Sequence, residues 1–106
     1  MVTVYIGSTP IHHITLPEDA TSYAGIEATY RQGGIGLTKY YDGTLPSGMT
    51  LDGKVVTLTL SQQETKLFVK GKGTLQLRVL TNDGLVLPSQ KWDICFEHSN
   101  NEEILE

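Results

Sequence analysis

Residues 50–89, TLDGKVVTLTLSQQETKLFVKGKGTLQLRVLTNDGLVLPS, decide the fold. An Asp-Gly pair at 52–53 favours a tight turn with a positive φ at its centre. In the residues that follow, Val56, Leu58 and Leu60 occupy alternate positions and therefore point to one face. The alternation predicts a half-buried β-strand that begins directly after the turn.

A short helix is predicted after this strand. Ser61 is a helix N-cap, and Glu64 completes an S-x-x-E capping box, in which each side chain bonds a free backbone N–H. We expect Leu67 and Phe68 to anchor this helix against the rest of the fold. The glycines that begin at Gly71 are expected to end the helix within about three turns.

The clearest strand of the chain comes next, with Leu75, Leu77 and Val79 on one face and polar residues on the other. Asn-Asp-Gly at 82–84 predicts a turn back into a short strand at 85–87. The whole stretch is therefore a strand, one helical crossing and a hairpin. It contains no catalytic constellation, so it predicts the fold and not an activity.

The same alternation occurs on both sides of this stretch. It predicts further strands at 2–6, 11–16, 23–31, 35–41 and 91–97. Two segments, 17–22 and 45–48, are expected to be loops, the first with at most one helical turn. The predicted core consists of Ile26, Ala28, Val56, Leu58, Leu60, Leu75, Leu77, Val79, Trp92, Ile94 and Phe96.

Seven or eight short strands with one short helix predict an all-β, immunoglobulin-like antiparallel β-sandwich, and a small barrel is the alternative. Residues 1–98 are expected to form this single domain. The tail 99–106 is polar and acidic, and we expect it to be mobile or to need a partner for its structure.

The chain has 106 residues and a formal net charge of −4, which suits one domain with one core. The acidic balance argues against nucleic-acid binding, because phosphate neutralisation needs a basic patch. Apolar runs stay far below the roughly 20 residues that span a bilayer, and the beginning MVTVYIG lacks the features of a signal peptide. A single cysteine excludes an internal disulfide. We therefore expect a protein that is made and kept in a reducing cytosol, or assembled there into something larger, without membrane contact.

Candidate catalytic and metal-binding groups are few. His12 and His13 are adjacent in a predicted strand, so they point to opposite faces and cannot chelate one metal ion together. Cys95 shares a strand face with Asp93 and Glu97, and nearby carboxylates raise the pKa of a thiol instead of activating it. We therefore expect no enzymatic activity, no metal site and no cofactor.

The aromatic residues indicate interaction surfaces as well as a core, because the chain has five tyrosines against two phenylalanines. Tyr40 and Tyr41 directly precede an Asp-Gly turn. At least one of the two rings is therefore expected at a strand end, pointing outward, where it can contact a partner.

A terminal strand is a second candidate for partner binding. Val2, Val4 and Tyr5 belong to a short first strand that is expected to form a free sheet edge, able to pair with a strand of a partner. Ile104 and Leu105 in the tail complete the predicted interface, since they could lie against the same neighbour.

The order D-G-K, L-T-L-S-Q-Q-E-T-x-L-F, G-x-G-T-L-Q-L-R, D-G and a following serine resembles small structural β-sandwich proteins of phages and prophages of Firmicutes or gut bacteria. It is also similar to the N-terminal domain of phage upper-baseplate proteins. The matching positions cover about half the chain and are 52–54, 58–68, 71–78, 83–84 and Ser89. The polar ending at 100–106 departs from the more apolar ending expected for such proteins.

The resemblance implies a non-enzymatic sandwich that docks onto other virion proteins, as a capsid decoration, a head-fibre protein or a tail or baseplate adaptor. It also implies a place in a virion that is assembled in the cytoplasm of the bacterial host. Self-association is a further possibility that the residues leave open.

Two other functions are compatible with the residues. In a carbohydrate-binding module, Tyr40, Tyr41 and Trp92 would stack on sugar rings, although Trp92 alternates in phase with Ile94 and Phe96, which favours the core. The third possibility is an accessory or inhibitor domain of an enzyme.

Overall fold

Two β-sheets make up the described part of the chain, which in the computed structural model comprises residues 2–43, 46–87 and 91–98. The strands are β1 (Val2–Tyr5), β2 (Ile11–Thr15), β3 (Gly25–Gln32), β4 (Ile35–Tyr41), β5 (Pro46–Ser47), β6 (Met49–Asp52), β7 (Val55–Thr59), β8 (Gly71–Leu80), β9 (Val86–Leu87) and β10 (Lys91–Glu97). A 3-10 turn at Ala20–Ser22 and the helix α1 at Gln62–Thr65 complete the described elements.

The strand order is that of an immunoglobulin-like sandwich. The large sheet has the order β1-β10-β8-β3-β4-β5, with β9 paired to the end of β8, and the small sheet has the order β2-β7-β6. This is the arrangement of immunoglobulin variable-type domains, with the small sheet corresponding to strands B, E and D. The predicted all-β sandwich is confirmed, with ten described strands in place of seven or eight, because β5 and β6 were not predicted.

One strand pair departs from the antiparallel prediction. β1 runs parallel to β10, in a register that pairs Val2 with Ile94 and Tyr5 with Glu97. β1 is thus the neighbour of the last strand in the large sheet, whereas β2, the next strand in the chain, belongs to the small sheet.

The core lies between the two sheets and is filled from alternate positions of the strands. Every predicted core residue except Trp92 is buried, and Leu58, Leu60, Ile94 and Phe96 are fully inaccessible. Trp92 is only partly buried. It lies beyond the end of β1, which begins to pair with β10 at Ile94.

The helix α1 forms with the predicted cap. The hydroxyl of Ser61 accepts the backbone N–H of Glu64, and the Glu64 carboxylate accepts the backbone N–H of Ser61. The helix is a single turn, and the side chain of Phe68 after it is buried and stacks on Phe96, with ring centroids 4.4 Å apart. Leu67 is 51% exposed, so the prediction that it anchors the helix is wrong.

Two predictions about segment boundaries are also wrong. Gly71 and Gly73 do not end the helix but lie in β8, and a Cβ on Gly73 would stand 2.7 Å from the Phe96 ring. Pro46–Ser47, expected to lie in a loop, form β5, and Met49–Asp52, where no strand was predicted, form β6. The turn itself is confirmed, since Gly53 has φ +56 and joins β6 to β7.

A buried lysine links the large sheet to α1. Lys39 on β4 is 7% exposed, and its ammonium donates to the Glu64 carboxylate that also caps the helix. Burial alone would raise the pKa of Glu64, but the hydrogen bonds from Lys39 and Ser61 lower it overall. Among the described residues, no helix is long and apolar enough to cross a membrane.

Candidate docking surface

The predicted interface residues fall into different environments. Tyr5 is 54% exposed and Tyr40 is 50% exposed, so both rings are available to a partner. Val4 is fully buried and Tyr41 is 7% exposed, which excludes their side chains from the predicted interface. Tyr41 pairs with Ile26 and shares its inward direction, and the adjacent Tyr40 must therefore point outward. Val2 is partly buried against the core.

Ile104 and Leu105 lie outside the described residues. β1 is the edge strand of the large sheet, as predicted, and pairs on one side with β10. The prediction that this edge binds a partner is therefore geometrically possible for Tyr5 and the β1 backbone.

The two exposed tyrosines do not belong to one surface. Tyr5 pairs with Glu97 near the beginning of β8 at Gly71, whereas Tyr40 is aligned with Glu27, which in turn pairs with Arg78 on β8. Gly71 and Arg78 are seven positions apart, which is about 23 Å at about 3.3 Å per residue. The predicted interface is thus divided between opposite ends of the sheet.

The end that carries Tyr40 contains a hollow, which we call the front hollow. It has a volume of about 430 Å³ and opens to solvent. Gly25 has no side chain and pairs with Leu80, and this leaves a gap between Tyr40 on one side and Leu80 and Val86 on the other. Its lining residues are Ala24, Gly25, Ile26, Glu27, Tyr40, Tyr41, Asp42, Arg78, Val79, Leu80 and Val86.

The polar groups at the front hollow are dominated by an ion pair. Arg78 donates from two nitrogens to one oxygen of Glu27, at 3.1 and 2.7 Å. Both side chains are about half exposed, so the pair adds little to stability. It holds the two side chains in fixed positions beside the Tyr40 ring. Asp42 adds a carboxylate to the same lining.

Beside the front hollow lies an exposed apolar hairpin, formed by the end of β8 and by β9. Its four exposed aliphatic side chains, which we call the hairpin patch, are Leu80, Leu85, Val86 and Leu87, between 37% and 59% exposed. The sequence predicts this hairpin but not its exposure. One signal was available, since three consecutive apolar residues in a strand cannot all face one core.

The hairpin is held by hydrogen bonds at its turn. The N–H of Thr81 donates to the carbonyl of Leu85 at 2.8 Å, and the hydroxyl of Thr81 accepts the Leu85 N–H at 3.1 Å. The Asn82 side chain donates to the carbonyl of Ser22 at 2.9 Å, which fixes the turn to the rest of the domain. These hydrogen bonds fix the turn to the domain and hold the hairpin patch in a defined position.

The side chains considered as candidate chemical groups, His12, His13 and Cys95, form hydrogen bonds within the domain. The Nδ1 atom of His12 bonds the hydroxyl of the fully buried Tyr30 at 2.6 Å, and His13 on the opposite face bonds Thr57 at 3.0 Å. Burial lowers the pKa of His12, and the neighbouring His13 lowers it further. The two histidines thus point apart, as predicted.

Cys95 is a free thiol that donates to the Glu97 carboxylate at 3.1 Å. That hydrogen bond raises the pKa of Cys95, which is the direction predicted from its neighbours. Within residues 2–43, 46–87 and 91–98, no three histidine, cysteine or carboxylate side chains come together as metal ligands.

Comparison with known proteins gives a fold but no family. No protein-family model matches the chain, and no curated protein does. A crystal structure of a Bacteroides vulgatus protein that is named as a candidate glycoside hydrolase is similar over 94% of this chain, with a TM-score of 0.54 and 11% sequence identity. The chain spans 17% of that protein's length. At this identity the similarity supports the β-sandwich fold alone.

Proposed function

We propose that this chain is a non-catalytic docking domain that binds other proteins of a virion through the front hollow. The observation that carries the proposal is the concentration of accessible apolar surface at one end of the large sheet. Tyr40, Leu80 and Val86 surround a hollow of about 430 Å³ and are exposed, although β4 and β8 bury their other faces. Exposed aromatic and aliphatic side chains around a hollow are suited to contact with a partner protein.

The chemistry of the lining favours one kind of partner. The hollow has mainly apolar walls and a volume of about 430 Å³, which is enough to accept an apolar side chain. Two carboxylates, Glu27 and Asp42, line the same hollow against one cation, Arg78, and the whole chain carries a net charge of −4. The complementary partner is a protein surface with an apolar anchor residue flanked by lysine or arginine.

The virion as the setting is supported by the resemblance to phage structural proteins. Its matching positions 71–78 and 83–84 fall on β8 and on the turn of the apolar hairpin, and Arg78 among them lines the front hollow. A docking role needs no chemistry beyond a shaped, partly apolar surface, which agrees with the structural partners found for His12 and Cys95.

The test is a binding measurement with a matched pair of tyrosine variants. The protein is mixed with each product of the genes next to its own, and the dissociation constant is measured by calorimetry. For a cognate capsid, tail or baseplate protein, Tyr40→Ala is expected to weaken binding by about 30-fold, the loss of an aromatic hot spot of about 2 kcal/mol. Tyr5→Ala removes a ring of similar exposure from the opposite end of the sheet and is expected to leave binding unchanged.

The reverse result would contradict the proposal. If Tyr5→Ala weakens binding and Tyr40→Ala does not, the β1 edge is the docking element and the front hollow is not. Thermal unfolding of both variants serves as the control, since both side chains are exposed and neither change should alter folding much.

A carbohydrate-binding role is the second candidate. It is favoured by the exposed Tyr40 ring, which stands beside the Glu27–Arg78 pair and could stack on a sugar while the pair bonds its hydroxyls. The burial of Tyr41 and the partial burial of Trp92 remove two of the three aromatic rings that this role would use. Saturable binding to a defined glycan that is lost in Tyr40→Ala would support this role over protein docking.

A further inference from the structure

The outer edge of β9 offers unpaired backbone groups. β9 pairs with β8 so that Val86 is opposite Leu80 and Leu87 is opposite Val79. The Thr81 N–H bonds the Leu85 carbonyl, so the next pair, Leu80 with Val86, is a non-bonded pair of the antiparallel ladder. The N–H and C=O of Val86 therefore point away from β8. The direction of the Leu80 carbonyl is consistent with this geometry, because it points away from β9 and accepts the N–H of Ala24.

The side chains of this edge are apolar on both faces. Leu85, Val86 and Leu87 are 59%, 56% and 41% exposed. Val86 points to the face of the front hollow, and the two leucines point to the opposite face. Lysine, proline, a charged side chain or a bulge would normally protect such an edge, and 85–87 carries none of them. An exposed edge of this kind is suited to pairing with another strand.

The sequence of the edge is symmetric about Val86. In an antiparallel pair of two copies, Val86 would face the partner's Val86 and exchange both backbone hydrogen bonds with it. Leu85 would then face the partner's Leu87, and Leu87 would face the partner's Leu85. A two-fold axis at Val86 therefore pairs the outward N–H of each Val86 with the partner's Val86 C=O, and each apolar side chain of 85–87 with another.

The charges around β9 allow a second copy of the chain to approach at this edge. The chain carries a net charge of −4, so two copies repel each other over most of their surface. The segment 84–90, GLVLPSQ, is free of ionisable side chains, and its flanking charges have opposite signs, Asp83 before it and Lys91 after it. In an antiparallel pair centred on Val86, the two Asp83 residues lie at opposite ends of the paired segment.

We propose that two copies of this chain associate through β9 and form one continuous β-sheet with a two-fold axis at Val86. Residues directly opposite each other in an antiparallel pair lie on the same face. The front hollows of the two copies therefore open on one side of the dimer. This proposal does not depend on what the front hollow binds.

The oligomeric state of the full chain tests the proposal. Sedimentation velocity over a range of micromolar concentrations is expected to show a monomer–dimer equilibrium. Val86→Lys places two like charges at the axis and is expected to raise the dimer dissociation constant by about tenfold or more. Val69→Lys is the matched control, because Val69 is 61% exposed and lies beyond α1, remote from β9. This control is expected to leave the equilibrium unchanged.

A second pair of variants tests the register. In a Cys95→Ser background, Val86→Cys should form a disulfide-linked dimer on mild oxidation, since paired residues of this type have Cα atoms about 5.5 Å apart. Val69→Cys in the same background should not. A monomer at all concentrations, or a dimer that Val86→Lys leaves intact, would overturn the proposal. Neither result would affect the Tyr40 experiment, which measures binding of a different protein.

Discussion

The ion pair of Lys39 and Glu64 allows a demanding test of how α1 is held on the large sheet. One carboxylate oxygen of Glu64 accepts from the lysine ammonium and the other accepts from the N–H of Ser61. Glu64→Gln keeps the size of the side chain and removes the charge that neutralises a buried lysine. Lys39→Met removes the cation and leaves a carboxylate that is 27% exposed and still bonded to Ser61.

These positions predict unequal losses of stability. Removing one partner of a buried ion pair costs roughly 3–5 kcal/mol, because the other charge stays buried without compensation. The exposure of Glu64 admits solvent, so we expect the lower end, about 3 kcal/mol, for Glu64→Gln. Lys39→Met is expected to cost about 1 kcal/mol, because the unbranched methionine side chain can occupy the space of the lysine methylene groups. The double variant should cost about 2 kcal/mol, a coupling of about 2 kcal/mol between the sites.

Urea unfolding followed by the fluorescence of Trp92, the single tryptophan, measures these values. With a slope of about 1.5 kcal/mol per M, a loss of about 3 kcal/mol lowers the midpoint by about 2 M. Equal losses of stability in the two single variants, which add up in the double variant, would refute the reasoning. Stability would then not depend on whether Glu64 neutralises the buried charge of Lys39.

The same pair predicts a dependence on acid pH. The folded pKa of Glu64 lies below its ordinary value of 4.5, so the unfolded chain takes up a proton at this site first as the pH falls. The contribution of Glu64 to stability is therefore complete above about pH 4.5 and is lost as the pH falls further through the folded pKa. Glu64→Gln should remove this part of the acid destabilisation.

Three further predictions concern the core residue Leu77, the helix cap Ser61 and the half-buried His12. Leu77→Ala is expected to cost roughly 2–5 kcal/mol, and an unchanged urea midpoint would show that its burial contributes nothing. Ser61→Ala should cost about 0.5–2 kcal/mol through loss of the cap, measured by thermal unfolding. The folded pKa of His12 lies below 6.5, so stability should be constant above about pH 6.5 and fall below it, and His12→Gln should flatten this fall. His13→Gln, on the exposed face, should retain most of the fall. An equal effect of both variants would exclude the burial of His12 as its origin.

The strands that sequence alternation predicts are those with one fully buried face. Val56, Leu58 and Leu60 repeat every second residue, and the small sheet buries all three, so the pattern and the structure agree. Gly71 and Gly73 mislead because glycine ends helices and also fits strands where a neighbour approaches closely, here the Phe96 ring. β6 is missed because it offers only Met49 and Leu51 as alternate apolar positions, too few for a pattern.

The candidate site was only partly predictable. Alternation requires that one of Tyr40 and Tyr41 point outward, and the pairing of Tyr41 with Ile26 decides which one. The exposure of Leu85–Leu87 depends on tertiary structure, because β9 pairs over only two residues of β8 and lies beyond the buried part of the sheet. A run of apolar residues has the same composition in a core strand and in an exposed edge, so composition does not separate the two.

Shifted pKa values often mark active sites, but in this domain they have structural causes. Burial, with a smaller effect from Glu64, raises the pKa of Tyr30, and the same burial lowers that of its partner His12. These groups lie between the two sheets, where Lys39 and Glu64 also meet. The front hollow opens on the other face of the large sheet, next to Tyr40. The buried polar groups therefore serve to join the sheets, while the accessible surface at the end of the large sheet is mainly apolar.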